Sequence, residues 1–197
     1  MVEYSRKKCY EGKHMEYKEP KGHKEYRKIK KLYKKAFPKN ERKPFSVIKK
    51  MSKKGKSDIL YFVDGEGFAG FATTINGKSE ILVDYLAIAE DKRGQGKGKK
   101  AVGLILEKYK HLGVFLEIER TFEDAENYAE RIRRKKFYLS SGFTTMNTYA
   151  KLFGVDMELL GVDCTLNYEE YKGFYLENYG KFAYDNITES EGHRTEG

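Results

Sequence analysis

Arg93-Gly94-Gln95-Gly96-Lys97-Gly98 is the stretch of this chain best suited to chemistry. It follows an apolar, strand-like run at 81–88 and opens a run of helical period at 99–112. A strand that turns through glycines into a helix N-terminus builds an anion site. Glycine lets the backbone approach closely, and the free N–H groups of the first helical turn point at the ligand. Arg93, Lys97 and Lys99 add positive charge around that cradle. The pattern predicts a phosphate-bearing cofactor. Further on, Glu117 and Glu119 stand two residues apart on a strand-like run, so both carboxyls share one face. Carboxylates so placed are expected to raise each other's pKa, which suits proton abstraction, and to attract a cationic amine.

Three glycine-loop readings compete. A P-loop needs GxxxxGK followed by Ser or Thr; no such string occurs, and neither Ser nor Thr follows Lys99 to hold magnesium. Gly96-Lys97-Gly98-Lys99-Lys100-Ala101 reads as the dinucleotide pattern GxGxxA, with Glu117 placed 19 residues after Gly98. That fold requires repeated βαβ units, and one is visible. The strands before the loop are joined by tight turns and must be antiparallel. The third reading is the coenzyme A loop, Gln/Arg-x-x-Gly-x-Gly/Ala, which Arg93, Gly96 and Gly98 satisfy.

A second motif, Phe137-Tyr138-Leu139-Ser140-Ser141-Gly142-Phe143, reads FYxxxGF, and Leu116-Glu117-Ile118-Glu119 lies between it and the loop. Their combination and order resemble the GNAT acetyltransferase superfamily, from the first hairpin to about residue 162. The resemblance implies acetyl-CoA as donor and a primary amine as acceptor, with direct attack in a ternary complex. It also implies an α/β (α+β) fold: a mixed, mostly antiparallel sheet of six or seven strands, flanked by helices and splayed between its fourth and fifth strands to admit the pantetheine.

By the same resemblance, the carbonyl and the pantetheine amides would pair with the backbone of Leu86, Ala87 and Ile88. The pyrophosphate would rest on the N–H groups of Gly94, Gln95, Gly96, Lys97, Gly98 and Lys99, with side-chain help from Arg93 and from Lys97 or Lys99. Tyr138 takes the place of the family's tyrosine near the sulfur. A phenol with a solution pKa near 10 suits proton donation to a thiolate and not service as a base at neutral pH. Glu117, with Glu119 beside it, matches the glutamate of the Leu-Glu-Val-type strand of some protein N-terminal acetyltransferases and is the candidate base. Many relatives carry an asparagine about seven residues before the tyrosine. Here that position is Arg131, with Asn127 one helical turn earlier as an alternative cofactor contact.

Several helices and strands must position these groups. Helices are expected at 23–37, where Tyr26, Ile29, Leu32, Tyr33 and Phe37 share a face, and at 43–54, with Pro44 suited to a first turn. Strands are expected at 59–63, 68–75 and 81–88, the last two joined by the hairpin signal Asn76-Gly77, then at 114–118 by a crossover. A helix at 125–140 and strand-like pieces at 144–153 and 156–162 complete the pattern. Beyond it, Tyr168, Tyr171, Tyr175 and Tyr179 recur at helical spacing, predicting an added helix over 167–180 whose tyrosines pack. Residues 186–197 read as a polar tail.

At 197 residues with 39% hydrophobic content, one domain over 1–180 is the natural count. Two cysteines, Cys9 and Cys164, offer neither metal spacing nor a disulfide framework and fit a reducing compartment. No apolar run nears membrane-span length and no signal peptide is seen, so a cytoplasmic location without membrane contact is expected. The chain is +9 overall, but residues 21–56 hold 16 Lys/Arg against Glu25 and Glu41 and are +14, leaving −5 elsewhere. That segment is either a solvated lysine face or a surface for an acidic partner such as a phosphorylated metabolite or RNA. A non-catalytic CoA-binding sensor and an RNA- or ribosome-associated protein therefore stand beside the enzyme as alternatives. Whether the chain is a monomer or a homodimer is open.

Overall fold

The computed structural model describes residues 15–190. Its elements are β1 (Glu16–Lys18), α1 (Gly22–Ala36), α2 (Phe45–Lys53), β2 (Ile59–Asp64), β3 (Gly67–Asn76), β4 (Glu80–Ile88), α3 (Lys97–Lys108), β5 (Gly113–Glu119), α4 (Tyr128–Leu139), β6 (Thr144–Leu152), β7 (Val155–Val162), α5 (Tyr168–Tyr179), α6 (Lys181–Asp185) and β8 (Ile187–Glu189). Eight strands form one sheet in the order β1-β2-β3-β4-β5-β7-β6-β8. Every neighbouring pair is antiparallel except β4–β5, which the α3 crossover makes parallel.

Alternation along the strands divides the core between two faces. Leu60, Phe62, Ala72, Val83, Leu116 and Ile118 point to the α3 side and pack on Val102 and Ile105. On the opposite face, α1 and α2 cover the first half of the sheet through Ile29, Tyr33 and Ile48 against Tyr61, Phe71 and Tyr85. There, α5 covers the second half, setting Tyr171, Phe174 and Tyr175 against Leu82, Phe115 and Leu159.

Two irregularities in β4 open the sheet. The pairing of β4 with β5 runs only through Glu80↔Gly113, Ile81↔Val114 and Leu82↔Phe115, so the two strands diverge beyond that point. Just there, Thr73 pairs with Tyr85 and Thr74 with Val83, leaving Asp84 as the extra residue of a β-bulge. The bulge re-aims β4: Leu82 before it and Tyr85 and Ala87 after it face the same side.

Three boundaries differ from the sequence reading. The third helix begins at Lys97, two residues before the expected start at 99, and ends at Lys108, short of the expected 112; Gly113 opens β5. Near the C-terminus, residues expected in a polar tail form β8, whose Ile187 is fully buried and pairs with Leu152. One apolar residue among polar neighbours suffices for a three-residue edge strand, a signal too short for periodicity. The sheet has eight strands because of β8 and the short β1. Cys9 lies outside the described residues.

Candidate active site

Gly94 and Gly96 both adopt left-handed backbone angles, φ +74° and +72°, and a Cβ at either would meet nothing within 4 Å. The turn therefore needs glycine for its backbone angle, and it leaves open space in front of the helix. Gly96 is the N-cap of α3, and none of the six amides from 94 to 99 donates to a backbone carbonyl among the described residues. These amides are free to donate, at the position where the sequence places a phosphate. Along the splay, the edges of Leu86, Ala87 and Ile88 that face β5 lack a strand partner among the described residues, although their other edges pair with Ala72, Phe71 and Gly70. A free strand edge and a run of unpaired amides thus follow one another in one continuous stretch of backbone, the kind of surface that can receive a hydrogen-bonding chain and an anion.

The side chains around the loop divide. Arg93 and Lys99 are exposed, and Arg93 Nε donates to Ile88 O at 3.1 Å. Gln95 Nε2 donates to Asp91 O at 3.1 Å, closing the loop on itself. Lys97, one of two expected phosphate partners, turns the other way: its Nζ lies 2.7 Å from Oδ2 of Asp64, whose side chain is 1% exposed. Asp64 Oδ1 accepts from the Glu66 amide at 2.9 Å, and Lys92 approaches the same carboxylate at 3.8 Å. The Lys97 bond and the Glu66 amide hold the Asp64 carboxyl below its ordinary pKa, against the effect of burial. The glycine loop is thereby anchored on the β2–β3 hairpin. Sequence reasoning missed Asp64, whose signal was no more than an acidic residue in a turn.

The two sequence motifs meet in space. A Cβ on Gly98 would lie 3.2 Å from the ring of Phe137, so the start of α3 packs directly under the FYxxxGF segment of α4. Tyr138 follows, half-buried, with its ring edge-on to Phe137 and Phe143 at centroid distances of 5.1 and 5.7 Å. Its hydroxyl makes no hydrogen bond among the described residues, and burial raises its pKa.

Glu117 and Glu119 share a face, as expected, but they do not act on each other as a coupled pair. Glu119 lies against α4: Arg131 Nη2 donates to its Oε1 at 2.9 Å and Arg134 Nη1 to its Oε2 at 3.3 Å. Arg131 also bonds Asn127 Oδ1 at 2.7 Å and Arg120 O at 2.8 Å. The asparagine carbonyl is therefore engaged in fixing that arginine. Glu117 instead faces α5, where Tyr171 and Tyr175 both donate to its Oε1, at 2.8 and 2.7 Å. Burial pushes the Glu117 carboxyl up; the two phenols and the nearby Lys43 oppose that rise. The physical reason for the separation is the second set of partners, supplied by helices whose contacts β5 alone does not reveal.

The C-terminal tyrosines therefore do more than pack. Tyr179 stacks on Tyr175 at 5.1 Å and its hydroxyl receives Lys43 Nζ at 2.5 Å, while Lys43 also binds Asp84 Oδ1 at 2.6 Å. A chain of polar groups runs from Glu117 through Tyr175 and Tyr179 to Lys43 and Asp84, along the splay. Glu41, from the same α1–α2 link as Lys43, has its pKa raised by burial and then by the charge of Glu119. Most lysines of the basic segment face solvent: Lys24, Lys28, Lys30, Lys31, Lys34 and Lys35 are all exposed on α1.

A sheet splayed at a bulge beside a glycine turn that opens a helix, with a tyrosine and a half-buried carboxylate nearby, defines a mixed α/β architecture with a cleft running into free backbone amides. Residues 26–133 match the family model described as Acetyltransferase (GNAT) family, and the chain belongs to that family. A solved structure from Bacteroides thetaiotaomicron, "Putative acetyltransferase from GNAT family", superposes with a TM-score of 0.68 at 22% identity over 80% of this chain and 93% of that one. The Vibrio cholerae spermidine N-acetyltransferase in complex with CoA and spermine gives 0.55 at 13% identity, over 75% of this chain and 94% of that one. In Bacillus subtilis (strain 168), the "Putative acetyltransferase YjbC" is 34% identical over 79 residues, 40% of this chain. That match spans about a third of the relative, 34% of its length. No described helix is long and apolar enough to cross a membrane.

Proposed function

We propose that this chain is an acetyl-CoA-dependent N-acetyltransferase acting on a primary amine, with Glu117 as base and Tyr138 as acid. The observation that carries the reading is the contact between the start of α3 and the FYxxxGF segment, which brings the phosphate cradle, the splay and Tyr138 to one opening. When bound, acetyl-CoA supplies an acetyl group activated as a thioester. The amides of residues 94–99 hold its phosphates, and the free edge of Leu86–Ile88 orients its pantetheine and polarises the acetyl oxygen.

The amine must lose a proton before it has a lone pair to use. Glu117 is suited to take it: its raised pKa brings it nearer to that of a neutral-pH base, and both phenol bonds fall on Oε1, leaving Oε2 to receive the proton. Tyr138 Oη supplies the proton for the leaving sulfur. Glu119, neutralised by two arginines, is assigned to shaping the acceptor mouth with Glu41. The solvent-facing lysines of α1 are assigned to solvation, or to an acidic partner, and not to the reaction. A cytoplasmic setting fits this reading.

Release of free thiol from acetyl-CoA, measured with a panel of primary amines, tests the proposal. Amine-dependent thiol release is expected. Stabilisation of the fold by CoA with no turnover on any amine would favour the non-catalytic CoA-binding alternative, and failure to bind CoA would refute the reading.

A further inference from the structure

Lys43 presents an unusual arrangement for a surface-segment lysine. Its ammonium donates to Asp84 Oδ1 at 2.6 Å and to Tyr179 Oη at 2.5 Å, lies 4.2 Å from the centre of the Tyr179 ring, and stands 5.6 Å from that of Tyr85. An aliphatic ammonium over aromatic faces with a carboxylate beside it is held by charge, hydrogen bonds and ring quadrupoles together. The cage walls are buried, with the Asp84 side chain only 8% exposed, whereas the Lys43 side chain is 29% exposed. Asp84 Oδ2 is buried and has no hydrogen-bond partner among the described residues, so the cage retains an unmet acceptor.

The backbone of Lys43 is held by hydrogen bonds separate from those of its side chain. Its own backbone is pinned: Tyr33 Oη donates to Lys43 O at 3.0 Å and Lys43 N donates to Tyr85 Oη at 3.2 Å. The stem and ammonium form the detachable part. Through the stacked pair Tyr179 and Tyr175, the cage adjoins Glu117 on the splay side of the sheet.

We propose that Asp84, Tyr85 and Tyr179 form the cation subsite for the acceptor, and that Lys43 occupies it as an internal stand-in that the acceptor displaces. The inference rests on the reading of Glu117 and the splay as the acceptor side. It narrows the acceptor to an unhindered aliphatic primary amine, because the lysine side chain that fills the cage is itself a slender butylammonium. Displacement carries a cost: a site closed to the ligand for most of the time shows an affinity reduced by its open fraction. Lys43 is then a specificity-determining residue that excludes weak cations.

The test is calorimetric titration of n-butylammonium into the wild-type protein and into Lys43→Met and Lys43→Gln, without acetyl-CoA. Thermal melts verify that each variant is folded, and the second variant serves if the first is not. Both variants are expected to bind about tenfold more tightly than wild type, the gain from a cage that Lys43 occupies some ten times out of eleven. Asp84→Asn added to Lys43→Met is expected to abolish that gain, and tetramethylammonium, which has no N–H to donate to Asp84 or Tyr179, should bind the Lys43 variants more weakly than n-butylammonium does. Equal or weaker n-butylammonium binding in the folded Lys43 variants, or no binding by any protein, would overturn the inference. The readout does not use thiol release, so such a failure would leave the proposed transferase activity standing.

Discussion

Tyr175 Oη donates to Glu117 Oε1 at 2.7 Å, joining the added C-terminal helix to the strand at the centre of the sheet. The bond explains how a carboxyl can sit half-buried there: two phenols satisfy one oxygen while the other stays available. Because burial raises the Glu117 pKa above its unfolded value, the folded chain holds that proton more tightly than the unfolded one. Its contribution to stability is therefore fullest below the ordinary glutamate range and falls as pH rises toward the folded value. Glu117→Gln keeps the acceptor oxygen and removes this cost. The variant is expected to melt no lower than wild type at neutral pH, while kcat falls by about 10²–10⁴ with the loss of the base. A melt and a thiol-release assay on one preparation check both halves.

Tyr175→Phe removes a donor that favours the charged carboxylate, and Tyr171→Phe does the same. Each substitution is expected to raise the Glu117 pKa further and to move the acidic limb of the kcat/KM profile to higher pH. An unmoved limb would mean that Glu117 is not the group titrating there.

The sequence carried the backbone half of this site and little of the side-chain half. Glycines that turn a strand into a helix state their own geometry, so the 93–98 turn could be read directly, whereas the splay beside 86–88 was expected only from the family resemblance. The FYxxxGF segment located Tyr138. Glu117 and Glu119 were correctly placed on one face, but their partners come from α4 and α5, remote in the chain, and no local period encodes a contact of 58 residues' separation. Asp84 was hidden for a related reason: its place beside the splay depends on a bulge, and bulges have no pattern within a single strand. The tyrosine stripe was legible as a helix face and illegible as a hydrogen-bonding array, because packing and donation use the same spacing.

Gly96→Ala tests the cradle. At φ +72° an L side chain costs about 1–2 kcal/mol, and the added methyl projects into open space, so no packing clash contributes. A small loss of stability is expected, together with a rise in KM for acetyl-CoA and loss of the stabilisation by CoA that saturating ligand gives wild type, about 2.7 kcal/mol at 100 times Kd. Comparison of melts with and without CoA reads the effect.

Tyr138→Phe keeps the ring that packs on Phe137 and Phe143 and deletes an hydroxyl with no bond among the described residues. Stability should change by less than about 0.5 kcal/mol, since no native hydrogen bond is broken. Turnover should fall by about 10²-fold or more, with KM for acetyl-CoA nearly unchanged, the pattern of an interaction made in the transition state alone. Parallel loss of CoA affinity would show instead that the hydroxyl holds the cofactor.

Asp64→Asn separates the anchor of the loop from the loop itself. The carboxyl pKa is depressed, first by Lys97 and next by the Glu66 amide. Its stabilising contribution is thus fully present above the ordinary aspartate pKa and is lost as pH falls through the lowered folded value. The asparagine variant lacks that charge at every pH. It is expected to be less stable at neutral pH by about 1–3 kcal/mol, the range for a charged hydrogen bond in a buried setting, with the gap closing in acid. Urea unfolding at neutral and acidic pH measures the convergence. Freed from Asp64, Lys97 can turn toward the cradle, so KM for acetyl-CoA should rise only if the loop loosens more than the released charge compensates. A variant that loses stability at neutral pH yet binds CoA as tightly as wild type would show that the amides, and not the position of Lys97, hold the phosphates.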